Sequence, residues 1–183
     1  MTGFLVALIA VLIAGMGARD QLLVAAIAVR QPGRGLILVA ALVSAVTTAM
    51  VAAWLALKTA PQLTGDARSM FAALALAVAA IELVLVRPAR LPTEPTQSLG
   101  AFALVMFAQQ LTDASRFLLF AIAVASATPL STAWGGAGGA ALVVALGWVG
   151  GAELLALRLV LLRRLVGSIF LALALWMSWK VRG

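Results

Sequence analysis

The sequence predicts an all-α polytopic membrane protein with six transmembrane helices arranged as two inverted three-helix repeats. Three observations lead to this fold class: the composition, the number of long apolar segments and two internal sequence matches. Of the 183 residues, 64% are hydrophobic and 10% are charged, and the mean hydropathy is +1.15. A chain of this composition must place most of its surface against hydrocarbon rather than water.

Six apolar segments have about the length needed to cross a hydrocarbon core of about 30 Å. They are residues 4–29, 35–57, 69–86, 99–127, 134–157 and 165–179. The first and fourth segments are longer than one crossing needs, but neither is long enough for two. Each is therefore predicted to be a single helix that is tilted or interrupted.

Two short sequences from the first half of the chain recur in the second half. Residues 69–76 (SMFAALAL) match residues 168–175 (SIFLALAL) at six of eight positions, 99 residues further on. Residues 22–29 (LLVAAIAV) match residues 117–124 (FLLFAIAV) at five positions, with an offset of 95. A repeat of about 97 residues accounts for both matches. The alternative is a chance similarity between helices that are rich in leucine and alanine.

The repeat divides the chain into three parts: a first three-helix repeat at 1–86, a linker at 87–98 and a second three-helix repeat at 99–183. Because each repeat crosses the membrane an odd number of times, the second repeat enters from the opposite side. The two halves are then inverted relative to each other. This architecture is typical of secondary transporters.

The distribution of lysine and arginine predicts the orientation, because these residues are retained in short cytoplasmic loops. Seven lie on one side, Arg30, Arg34, Arg87, Arg90, Arg158, Arg163 and Arg164, and four on the other, Lys58, Arg68, Lys180 and Arg182. Both termini are therefore predicted outside. The net charge of +7 indicates contact with a lipid bilayer and its anionic head groups rather than nucleic acid. The short loops suggest a bacterial inner membrane.

Polar side chains at membrane depth occur in two clusters, at residues 15–21 in the first span and 109–116 in the fourth. In the second cluster, Gln109, Thr112, Asp113 and Arg116 have the spacing of one helix face. The sequence contains no cysteine, histidine or tyrosine, so a bound cation must be held by oxygen atoms. No cofactor is predicted.

In an inverted repeat the two clusters are expected to meet near the bilayer midplane, where such proteins bind their substrates. The candidate substrate- or ion-binding residues are Asp113, Asp20, Gln110, Gln109, Thr112, Ser115 and Gln21. The candidate metal ligands are Asp113 and Asp20, and Arg19 and Arg116 are candidates for gating or charge pairing. The alternative is a self-neutralised cluster that holds the halves together, with Asp113 and Arg116 paired at i, i+3.

At these clusters the chain resembles the family of Golgi calcium/manganese transporters and their bacterial manganese-exporting relatives, within the lysine-exporter superfamily. That family carries the motif Glu-x-Gly-Asp-(Lys/Arg)-(Ser/Thr) in its first and fourth helices. Gly17 and Arg19 match it in the first span, and Asp113 and Ser115 match it in the fourth. The family's other acidic positions are occupied here by Gly15, Ala18 and Gln110.

The resemblance implies six helices in two inverted repeats and the exchange of manganese or calcium for protons at Asp113 and Asp20. The residues themselves leave two alternatives open. Because Arg19 and Arg116 offset the two acids, the substrate could instead be a small zwitterionic or anionic solute. The chain could also be a non-transporting membrane subunit stabilised by a buried cluster of aspartate and arginine.

An enzyme is not predicted, although two intramembrane aspartates occur in some proteases. The motifs expected of such a protease are missing, and the arginine near each aspartate favours its ionised form, whereas a protease pair shares a proton. The fifth span contains pairs of glycines four residues apart, at Gly135 and Gly139 and at Gly147 and Gly151. This spacing allows close helix packing, either within one chain or in a homo-oligomer.

Overall fold

A computed structural model describes residues 2–31, 33–86, 98–126, 128–157 and 159–182, except for the side chain of Arg182. Within these ranges the chain is almost entirely α-helical and contains no strand. Most of the predicted linker, residues 87–97, lies outside the described residues, as do the loop arginines Arg87, Arg90 and Arg158.

The described residues form eight α-helices. They are α1 (Thr2–Gly15), α2 (Arg19–Arg30), α3 (Gly35–Thr59), α4 (Gly65–Leu85), α5 (Leu99–Leu111), α6 (Ala114–Ala125), α7 (Pro129–Ala156) and α8 (Leu159–Arg182), and a short 3₁₀ turn (Ala60–Gln62) extends α3. Helices α1 to α4 are followed by α5 to α8 in the same order of lengths, short, short, long and long. The first residues of corresponding helices are 94 to 97 residues apart.

Four helices, α3, α4, α7 and α8, are long and apolar enough to cross a membrane. Helices α1 and α2 meet these criteria as a pair, bent by 66° at the break between them, and would make a fifth span. Helices α5 and α6 are shorter apolar helices. The described part of the chain therefore contains four or five helices with the length and composition of membrane spans.

Both of the long apolar segments are interrupted, which is one of the two possibilities that the sequence left open. Between α1 and α2, Gly17 has a φ of +71°, a backbone conformation that glycine adopts without the steric cost of a side chain. Between α5 and α6, Asp113 has an extended backbone and begins the second helix as its N-cap. Each interruption is produced by a residue suited to end or to begin a helix.

Helix α7 packs against α1, α2 and α3, while α4 packs against α8 and α6. The glycines of α7 allow this close approach. A Cβ atom added to Gly135 would lie 2.1 Å from the carbonyl oxygen of Phe4, and one added to Gly139 would lie 2.6 Å from that of Leu8. These glycines therefore contact α1 within the same chain, and the homo-oligomer through α7 stays a prediction.

Candidate functional site

The two interruptions bring an acidic residue from each half of the chain into the interior. Asp20 is in the first turn of α2 and Asp113 is at the start of α6, and they are 3% and 4% exposed. The two carboxylates interact electrostatically with each other, and Asp20 also interacts with Arg116. The site is therefore built from both halves.

The carboxylate of Asp113 is held by the first turn of its own helix. Its Oδ2 accepts a hydrogen bond from the backbone N–H of Ser115 at 3.0 Å and a second from the hydroxyl of Ser115. The same hydroxyl accepts a hydrogen bond from Nη1 of Arg116 at 2.7 Å. Asp113 and Arg116 are thus connected through Ser115.

The direct ion pair between Asp113 and Arg116 that the alternative of a self-neutralised cluster included is not formed. Among the described residues, no arginine nitrogen lies within 4.0 Å of the Asp113 carboxylate. The prediction assumed a continuous helix, on which residues i and i+3 share a face. Because α6 begins at Asp113, this side chain instead caps the free backbone N–H groups of the first turn.

Arg116 connects α6 to α3. Its Nε and Nη2 donate to the hydroxyl of Thr48 at 3.1 and 3.0 Å, and Nη2 also donates to the carbonyl oxygen of Ala45 at 3.3 Å. With the bond to Ser115, every nitrogen of this guanidinium has an acceptor. Arg116 is 4% exposed, so it is a fixed, buried positive charge.

Gln110 and Ser44 form the polar wall between α5 and α3. The Ser44 hydroxyl donates to Oε1 of Gln110 at 2.6 Å. Gln110 is fully buried and its Nε2 has no hydrogen-bond partner, although its side chain interacts with that of Asp20. This amide therefore presents a donor to the Asp20 carboxylate without a well-formed hydrogen bond.

Gln21 organises the first interruption. Its Oε1 accepts the backbone N–H of Gly17 at 2.7 Å, and its Nε2 donates to the carbonyl oxygen of Val143 in α7 at 3.1 Å. The backbone N–H of Gln21 donates to Oδ1 of Asp20 at 2.8 Å. Both ends of the Gln21 side chain are used, which makes it a positioning residue for the break.

Two predicted site residues lie away from the buried cluster or at its edge. Thr112 is exposed, and its hydroxyl donates to the carbonyl oxygens of Ala108 and Gln109 in its own helix, each at 3.2 Å. Gln109 is partly buried, and its Oε1 has no hydrogen-bond partner. The structure brings together Asp20, Gln110, Asp113, Ser115 and Arg116, but not Thr112.

A second charged cluster was missed by the sequence analysis. Nη2 of Arg163 lies 2.8 Å from Oε2 of Glu82, and Nη2 of Arg19 lies 3.7 Å from Oε1 of the same carboxylate. Arg163 is 4% exposed, whereas the side chain of Arg19 is 29% exposed. We call Arg19, Glu82 and Arg163 the outer cluster, and Asp20, Asp113 and Arg116 the inner cluster.

The prediction that Arg163 lies in a loop is wrong. Helix α8 begins at Leu159, six residues before the predicted segment, so Arg163 is part of the helix. Its buried charge is compensated by Glu82.

The charges of the two clusters influence each other, because the carboxylate of Glu82 in the outer cluster also interacts with that of Asp113 in the inner cluster. Across the part of the chain that the structure describes, no group of three or more histidine, cysteine, aspartate or glutamate side chains is arranged to hold a metal ion. The inner cluster thus offers two carboxylates, amide and hydroxyl groups, and one arginine. This arrangement can bind and release a small charged species in the interior of an apolar bundle.

Comparison with family models, curated proteins and solved structures gave no match to this chain. The resemblance to the calcium/manganese transporters is therefore a prediction that depends on the motif residues of the first and fourth apolar segments.

Proposed function

We propose that this protein is a secondary transporter resembling cation/proton antiporters, with its substrate site at the two helix interruptions. One observation carries the proposal: Asp20 and Asp113, one from each half, interact in the buried interior beside two helices that begin inside the bundle. Interrupted helices are the usual source of substrate sites in such transporters, because they free backbone groups and orient helix ends toward the bound ion.

In this proposal α5 and α6 together form the sixth span, as the counterpart of the bent pair α1 and α2. The short–short–long–long order of helices in each half supports it. With three spans per half, the halves are inverted, and the membrane is a bacterial inner membrane with both termini outside. Because the natural sequence has no cysteine, single cysteines introduced near Thr2 and at Ser98 test the orientation by labelling with an impermeant maleimide.

The arginines favour a cation over an anion as the cargo. Arg19 had been expected to offset the two aspartates, but it lies 3.7 Å from Glu82 instead. Arg116 is then the arginine that interacts with the acidic pair. Two carboxylates with one arginine attract a cation. Manganese and calcium, which the family resemblance implies, are the first cations to test.

A second candidate is a non-transporting membrane subunit, which the hydrogen bonds of Arg116 favour. These bonds connect α6 to two residues of α3, Ala45 and Thr48. Such a network would also be expected if the buried charges served only to fix the helices relative to each other. The two candidates differ in whether loss of a buried charge changes transport or only stability.

The experiment is a flux assay in proteoliposomes with a pH-sensitive dye inside and an imposed pH gradient. Wild type is compared with Asp113→Asn and with Asp66→Asn, which removes an exposed carboxylate at the start of α4. A transporter is expected to couple cation addition to proton movement, to lose this coupling in Asp113→Asn and to keep it in Asp66→Asn. Folded wild-type protein that moves no more protons than empty vesicles with any divalent or monovalent metal cation would support the non-transporting subunit.

A further inference from the structure

The inner cluster contains a fixed positive charge, the guanidinium of Arg116. The guanidinium of Arg116 is hydrogen-bonded to Thr48, Ala45 and Ser115 and is 4% exposed. Removing it from these acceptors would leave a buried charge and several polar groups without partners. Arg116 therefore remains beside Asp20 and Asp113 whether or not the site is occupied.

The outer cluster leaves the charge of the inner cluster uncompensated. Glu82 is neutralised by Arg163, its closer partner at 2.8 Å. Arg19 is the remaining positive charge, and its side chain is 29% exposed, so its charge is partly screened. Counted over both clusters, the three carboxylates of Asp20, Asp113 and Glu82 and the two buried arginines, Arg116 and Arg163, then carry a single net negative charge.

A single net negative charge suits a monovalent ligand better than a divalent one. Sites for dehydrated divalent cations such as calcium combine six or more oxygens with several carboxylates. In the inner cluster one carboxylate oxygen of Asp113 is already bonded to Ser115, and one of Asp20 is bonded to the backbone N–H of Gln21. A proton or one monovalent cation neutralises this site, whereas a divalent cation leaves an excess positive charge.

Building on the proposed function, we propose that the inner cluster binds one positive charge at a time, either a proton or a monovalent metal cation. Arg116 determines this specificity, because its fixed positive charge offsets one of the two carboxylates and leaves only one negative charge for the ligand to neutralise. Binding of the cation releases one proton from the pair formed by Asp20 and Asp113. One cation then exchanges for one proton, and no net charge crosses the membrane.

The structure also indicates how the specificity can be changed. Ala18 and Asp113 are the N-cap residues of α2 and α6, and they lie 95 residues apart. Both have an extended backbone, but only Asp113 makes a capping hydrogen bond. Ala18→Asp adds a third carboxylate to those of Asp20 and Asp113, at the equivalent position of the other interruption, and so raises the net negative charge from one to two. Ala18→Asn is the matched control, because it can cap the helix without adding charge.

The test adds sodium, potassium or lithium chloride, or manganese or calcium chloride, to proteoliposomes and follows the internal pH. Wild type is expected to move protons in response to at least one monovalent cation, without sensitivity to an imposed membrane potential, and to ignore manganese and calcium. Ala18→Asp and, independently, Arg116→Gln are expected to respond to a divalent cation, whereas Ala18→Asn keeps the wild-type preference.

The outcomes separate this inference from the proposed function. Manganese or calcium exchange by wild type that Asp113→Asn abolishes would overturn the monovalent specificity and leave the transporter intact. Exchange that follows the membrane potential would overturn the one-for-one stoichiometry. If no cation of either class moves protons through folded wild-type protein, the proposed function fails, and the inference fails with it.

Discussion

Arg116 donates two hydrogen bonds, from Nε and from Nη2, to one hydroxyl group, that of Thr48. The Thr48 hydroxyl in turn donates to the carbonyl oxygen of Ser44 at 2.9 Å. The buried hydroxyl of Thr48 therefore accepts two hydrogen bonds from the guanidinium and donates one to the backbone of α3. Thr47, the neighbouring residue, is exposed and bonds only to the carbonyl oxygen of Val43.

Thr48→Val is expected to lower the free energy of unfolding by about 1 to 3 kcal/mol, because Nε of a buried guanidinium loses its acceptor and Nη2 loses one of its two. Thr47→Val removes the same group from the same helix and is expected to change the stability by less than about 0.5 kcal/mol. Denaturation in mixed detergent micelles, followed by circular dichroism, measures both. Equal effects of the two substitutions would contradict the importance of the contact with Arg116.

Glu82 and Arg163 form a buried ion pair between α4 and α8. Removal of Glu82 leaves Arg163 without its partner, and removal of Arg163 leaves Glu82 with only the longer contact to Arg19. Glu82→Gln or Arg163→Met alone is expected to destabilise the protein by about 3 to 5 kcal/mol. The double substitution Glu82→Gln/Arg163→Met is expected to be more stable than the sum of the single effects predicts. Additive effects in this double-mutant cycle, measured by the same denaturation assay, would argue against a direct pair.

Close packing between α7 and α1 depends on Gly135. In Gly135→Ala the added Cβ would lie 2.1 Å from the carbonyl oxygen of Phe4, so the two helices must separate, at a cost of about 1 to 3 kcal/mol or more.

Gly138→Ala is the control, because its Cβ would meet only Cδ1 of Leu8 at 3.7 Å. This substitution is expected to be neutral or to stabilise α7 by up to about 1 kcal/mol through helix propensity. Thermal unfolding in detergent compares the two variants. A Gly135→Ala protein as stable as Gly138→Ala would show that α1 and α7 are not in close contact.

The second interruption depends on the cap that Asp113 supplies. Asp113→Asn keeps a capping side chain and is expected to cost less than about 1 kcal/mol in stability, whereas Asp113→Ala removes the cap and is expected to cost about 0.5 to 2 kcal/mol. Both variants are expected to lose cation-coupled proton movement. If Asp113→Asn transports as wild type does, the charge of Asp113 has no role in the site.

The sequence matches predicted some of the helical arrangement and not the rest. Leu22 and Phe117, the first residues of one match, are each the fourth residue of their helices, α2 and α6. Ser69 is the fifth residue of α4, whereas Ser168 is the tenth residue of α8. The match between residues 22–29 and 117–124 therefore falls at equivalent helix positions. The match between residues 69–76 and 168–175 does not, because apolar residues alone do not fix where a membrane helix begins.

The candidate site was predictable where the chemistry is local. Asp20, Asp113 and Gln110 stand out because acids and amides in apolar segments need a partner or water, and all three are buried. Thr112 was misjudged because the break before Asp113 ends the helical face that was assumed to continue. Glu82 and Arg163 were missed because they are 81 residues apart in sequence, and no spacing rule for single helices connects them.

The bond from Gln21 to Val143 has a consequence for biosynthesis. The amide of Gln21 stabilises the break between α1 and α2, yet its acceptor belongs to α7. In a nascent chain that ends before Val143, the Gln21 amide therefore lacks its acceptor in α7. The break between α1 and α2 is expected to reach its final geometry only after α7 has been synthesised.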